Sequence, residues 1–139
     1  MGSTGKLASL VGVGLLAALT LTGCINQGSG FAALDREAEP SDAMPAGLPD
    51  YADDDLDPMS SRFVGEHNGN ALYLAKGKGG GGRICLLIYP DDSASWVIGC
   101  GGALEFRVGG PTGDYTVRPD GAPAPEHSIE VATNVFAPE

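Results

Sequence analysis

Two short apolar runs, each carrying one cysteine, constrain this chain more than any other feature. Arg83-Ile84-Cys85-Leu86-Leu87-Ile88-Tyr89 and Trp96-Val97-Ile98-Gly99-Cys100 flank Pro90-Asp91-Asp92-Ser93-Ala94-Ser95. A stretch of turn formers between two apolar runs reads as a β-hairpin. If Cys85 stands opposite Cys100, the side-chain period of two also sets Leu87 opposite Ile98 and Tyr89 opposite Trp96, all on one face. One disulfide then fixes the register of a whole hydrophobic face, and closing a loop of this size is worth about 3 kcal/mol in the chain-entropy picture.

Whether those thiols oxidise depends on the compartment, and the first residues address that. Met1-Gly2-Ser3-Thr4-Gly5-Lys6 is a short positive end, and Leu7 to Leu21 is an uncharged run of Leu, Ala, Gly and Val. Together they form the n-region and h-region of an export signal. The run closes on Leu21-Thr22-Gly23-Cys24, an aliphatic residue, two small residues and a cysteine. That is the lipobox at which a lipoprotein signal peptidase cuts, leaving a cysteine that carries diacylglycerol. The sequence thus predicts a signal peptide over 1–23, lipidation of Cys24 and a protein on the outer face of the cytoplasmic membrane. An uncleaved signal anchor is the main alternative, since Leu7 to Ile25 is nearly the ~20 residues a spanning helix needs, and ordinary secretion is another. With Cys24 committed to lipid, Cys85 and Cys100 remain as an even pair in an exported protein, the usual condition for a disulfide. Their spacing is not that of a redox Cys-x-x-Cys, and without nearby histidines they do not make a zinc site.

Charge then divides the rest of the chain. The whole sequence has a formal charge of −10, and loss of Lys6 with the signal makes the remainder more acidic. Clustered Lys and Arg are what phosphate binding requires, so nucleic acid is excluded as a partner. Residues 24–60 hold nine acids against Arg36 alone, whereas 61–139 hold nine acids against six bases. The Gly/Ser segment after Cys24 reads as a flexible tether, and Phe31 to Glu39 as a weak helix stopped by Pro40. From Ser41 to Pro58 the lack of any hydrophobic period predicts an extended acidic stalk. The expected layout is a lipidated cysteine and acidic tether over 24–60, then a small domain over 61–139.

That domain reads as mainly β. Gly 22 and Pro 10 in 139 residues, with only 6% aromatics, disfavour long helices, and apolar runs alternate with turn residues every eight to twelve positions. Phe63 to His67 and Asn70 to Ala75 flank Asn68-Gly69, the strongest two-residue hairpin signal because both positions tolerate positive φ. Further strands are expected at Leu104–Val108, Tyr115–Arg118 and Ser128–Phe136. A small antiparallel meander or sandwich of about six or seven strands, stapled by one disulfide, is the predicted fold.

Reactive constellations are scarce. Asp53-Asp54-Asp55-Leu56-Asp57 opens like a calcium loop, yet Pro58 stands where an EF-hand needs Gly and Val64 where it needs Glu. The glycine run from Gly77 to Gly82 lacks the Ser or Thr after its Lys that a phosphate loop uses, and it reads as a hairpin loop. His67 and His127 stand by turns, apart from any nucleophile. Glu66, Glu105 and Asp114 are carboxylates that only three-dimensional folding can bring together. The sequence therefore assigns no catalytic residue, no metal and no cofactor. Tyr89 with Trp96 is the candidate binding surface, as a sugar-stacking platform, although a lone Trp beside a disulfide more often belongs to the core.

Leu34-Asp35-Arg36, Ser41-Asp42-Ala43-Met44-Pro45, Cys85 to Tyr89, Trp96 to Gly101 and Val117 to Pro123 carry a further likeness. In these segments the chain resembles a group of small uncharacterised actinobacterial envelope proteins, some of them lipid-anchored. The resemblance spans about 34–136; it implies the envelope address and the cysteine pair, and no activity comes with it. The functional expectation is a non-enzymatic binding or interaction module with a membrane, an envelope protein or a wall glycan as partner. An accessory subunit of an envelope complex and a hydrolase with a carboxylate site are the alternatives.

Overall fold

The computed structural model describes Gly2, Gly5 and residues 28–139. Cys24 and the export signal lie outside the described residues. The fold is mainly β, two four-stranded antiparallel sheets with one short helical turn at Ala32–Asp35. The first sheet is a meander of β1 (Arg62–His67), β2 (Asn70–Lys76), β3 (Ile84–Pro90) and β4 (Val97–Gly101). The second has β5 (Phe106–Gly110), β6 (Gly113–Val117), β7 (Ser128–Ala132) and β8 (Val135–Pro138) in the order β5-β6-β8-β7.

The two sheets face each other across a core of Leu72, Leu74, Ile84, Leu86 and Ile88 from the first and Val108, Tyr115, Val117, Val135 and Ala137 from the second. They also touch at both edges. On one side the Thr133 N–H donates to the Val64 carbonyl, joining the turn after β7 to β1. On the other, β5 lies on β4 so closely that a Cβ on Gly99 would stand 2.6 Å from Val108 Cγ2. Glycine at 99 and 101 is what lets Val108 and Phe106 seat there, since only a residue without a side chain tolerates such an approach.

Strand β3 explains a second layer. Its residues Ile84, Cys85, Leu86, Leu87 and Ile88 are all buried, so both faces of the strand are covered. An unbroken apolar run is the mark of a strand buried on both faces. The inner face meets the second sheet; the outer face, with Ala75, Cys85 and Ile98, is covered by Leu56 and Met44.

Those covering residues come from the segment expected to be a tether, and that expectation is corrected here. Phe31 and Leu34 are buried in the main core, and Leu56 is fully buried. Short 3-10 turns at Pro40–Asp42, Asp50–Asp53 and Pro58–Ser60 bend the chain across the first sheet. The Asp57 N–H donates to the Lys76 carbonyl, and Leu56 bridges to Gly77. The folded unit therefore begins near Ser29 instead of Ser61. Scattered apolar residues, each filling a separate hole, show no period, and composition alone made them look solvated.

The later strands also differ: β5 begins at Phe106 and leaves Leu104 in a loop, and β6 runs from Gly113 to Val117. Ser128–Phe136, expected as one strand, is the β7–β8 hairpin, turned at Thr133 and Asn134 with Asn134 at φ 66°. Asn takes this left-handed conformation more readily than most residues. The total is eight strands where six or seven were expected.

Candidate functional site

Strand direction gives the molecule two ends. At the entry end lie Ser29, the β2–β3 loop and the β4–β5 loop: Ser29 lines a recess with Lys76, Gly77 and Arg83, and Ile84 pairs with Gly101. At the far end lie the Asn68–Gly69 turn, the β3–β4 loop up to Trp96 and the β5–β6 turn around Pro111 and Thr112. Asn70 pairs there with Pro90, and its side chain donates to the Thr112 carbonyl.

The disulfide joins Cys85 to Cys100 with Leu87 opposite Ile98, the register the sequence predicts. The ladder ends one pair later, at Ile88 with Val97, so Tyr89 and Trp96 lie just beyond its last pair. Tyr89 is half-buried, and its hydroxyl lies under Gly47, where a Cβ would come within 2.8 Å of it. Trp96 turns instead to Tyr51 on the covering segment, with ring centroids 6.0 Å apart and planes tilted by 42°. Tyr51 is 66% exposed. Asp50, Asp53 and Asp92 stand on the same turns of chain. Sequence reasoning missed Tyr51 because its segment was taken for a stalk.

The remaining candidates are dispersed. His67 Nδ1 is 3.2 Å from the Tyr115 hydroxyl, which also accepts from Asn70 Nδ2 at 2.8 Å. This chain of contacts ties β1, β2 and β6 together at the far end. Glu66 is exposed on β1, and Glu105 is ion-paired with Arg118 at the entry end.

Asp114 and His127 do meet, as lining of one cleft. It measures about 420 Å³, is open on the outer face of the second sheet, and adds Arg107, Thr116, Glu126 and Ser128 to its walls. No hydrogen bond links Asp114, Glu126 and His127 among the described residues. The geometry lacks the donor–acceptor chain that would orient a general base on a nucleophile.

The acidic run has local duties. Asp57 accepts from the Met59 N–H at 3.0 Å, starting the turn that leads into β1. Among the described residues, no group of three or more His, Cys, Asp or Glu side chains is placed to hold a metal ion, and no helix is long and apolar enough to cross a membrane.

Comparison of the chain with protein-family models, with curated proteins and with solved structures finds no match to any of them.

Proposed function

We propose that the protein is a lipid-anchored, extracytoplasmic binding module, held to the membrane through Cys24, that presents Tyr51 and Trp96 to a cell-wall glycan. The aromatic pair carries this reading. A largely exposed tyrosine stands beside a half-buried tryptophan, two aromatic rings offered together at the surface. The C–H face of a sugar ring packs on such rings, while neighbouring carboxylates accept its hydroxyls. Asp50, Asp53 and Asp92 are placed by sequence to do so. The pair also lies at the end opposite the chain's entry, where an anchored domain reaches outward.

Trp96 is the only tryptophan, so its fluorescence reports on the surface directly. Titration with solubilised wall glycan fragments should give a saturable change, and Tyr51→Ala should weaken binding by up to about tenfold, the worth of one aromatic contact. The variants His67→Ala, His127→Ala, Glu66→Ala and Glu105→Ala should bind as the parent does. A flat titration with every wall fraction contradicts the glycan reading. Loss of the protein's cellular phenotype in one of those four variants, with an unchanged melting curve, turns the account toward an enzyme.

A further inference from the structure

We infer that the entry end of the domain is a second membrane contact, in which the β2–β3 loop binds anionic lipid headgroups while Leu104 enters the interface. The inference rests on the lipid-anchored reading of Cys24. Seven basic side chains follow residue 23, and three of them are engaged elsewhere. Arg36 pairs with Asp42 and Arg118 with Glu105. Arg62 is buried, with its guanidinium donating to the carbonyls of Arg36 and Ser61. Arg107 lines the cleft on the second sheet. The other three, Lys76 at the end of β2 and Lys78 and Arg83 on the β2–β3 loop, are all exposed and have no ion-pair partner among the described residues.

Position gives this cluster its meaning. Ser29 lines the same recess as Lys76 and Arg83, and four residue steps separate Gly28 from Cys24. Fully extended, they reach at most roughly 14 Å, so acyl chains on Cys24 hold this end of the domain at the headgroups. Leu104, on the neighbouring β4–β5 loop, is 85% exposed. Basic side chains beside one exposed apolar residue are what an interfacial contact uses.

Carboxylates stand at this end too, and among the described residues only Glu105 of these is offset by an ion pair. Asp35 accepts from the Ser29 N–H and Asp120 from the Ala32 N–H. Asp54, Asp55 and Asp57 are exposed next to the basic side chains and oppose the contact, so Asp54→Asn with Asp55→Asn should strengthen it.

The test uses processed, full-length protein purified from membranes and reconstituted into vesicles of phosphatidylglycerol with phosphatidylcholine, or of phosphatidylcholine alone. The Leu104→Trp, Trp96→Phe double variant has one indole, on the β4–β5 loop, and brominated lipid quenches it only on insertion. Strong quenching is expected in the anionic vesicles. It should fall when salt is raised, and by about fivefold for each charge removed as Lys76→Gln, Lys78→Gln and Arg83→Gln are added. In the parent, Trp96 should stay unquenched. If the protein floats with anionic vesicles while the indole on the β4–β5 loop stays in water, or if Trp96 is quenched instead, the docking is wrong and the anchor stands. If it fails to float with either vesicle, the anchored reading falls and the docking with it.

Discussion

The guanidinium of Arg36 grips the carboxylate of Asp42 with two hydrogen bonds, Nη1 to Oδ2 at 2.6 Å and Nη2 to Oδ1 at 2.7 Å. Asp42 is 2% exposed and also accepts from the N–H groups of Glu39 and Phe63. One buried carboxylate thus ties the turn at Pro40–Asp42 to the first residues of β1, and fastens the covering segment to the sheet.

The Arg36 hydrogen bonds, aided by those backbone N–H groups and opposed by burial, hold the Asp42 carboxyl well below the usual carboxylate range. A depressed carboxyl contributes stability that is complete above its unfolded value, about 3.9, and is lost as pH falls below it toward the folded value. Asp42→Asn should cost about 2 kcal/mol at neutral pH. It should also flatten the acid limb, so that the gap between parent and variant in urea-unfolding midpoints begins to close as pH falls below about 4. Parallel losses from pH 6 to pH 3 would show that Asp42 is not the group concerned.

Leu56→Ala should destabilise by about 2–5 kcal/mol, the usual cost of truncating a buried leucine. A flexible stalk would register no change. Limited proteolysis gives the same answer from another side: the native protein should resist cleavage between 41 and 58 on the timescale on which Leu56→Ala is cut.

Replacing both Cys85 and Cys100 by serine should remove roughly 3 kcal/mol, the loop-closure worth of a disulfide at a separation of 15 residues. Native protein should show no free thiol at either position by alkylation under denaturing, non-reducing conditions.

Gly99→Val should destabilise by about 1–3 kcal/mol, the range for overpacking, because the new side chain meets Val108 across the β4–β5 edge. An unchanged melting temperature would mean that this edge of the sandwich is open.

Where local chemistry is strong, the sequence could be read. Asn68-Gly69 marked the β1–β2 turn, and the two cysteines set the β3–β4 register. The covering layer was hidden because Phe31, Leu34 and Leu56 are single apolar residues among Pro and Asp, and each is buried by a distant part of the chain. The unbroken run in β3 was the available signal, since a strand buried on both faces demands a cover on each. The site was hidden for the same reason: Trp96 was visible, but its partner Tyr51 is brought to it by that cover. The cleft lined by Asp114 and His127 depends on β6, β8 and the turn before β7 meeting around it, which no spacing in the chain encodes.

The most direct test of the account is the intact mass of the protein extracted from the membranes of the cells that make it. The predicted mass is that of a chain beginning at Cys24, increased by diacylglycerol and any further acyl group on that residue, and lower by two hydrogens for the Cys85–Cys100 bond. A mass that begins at Met1, or a processed chain without a lipid adduct, would contradict it.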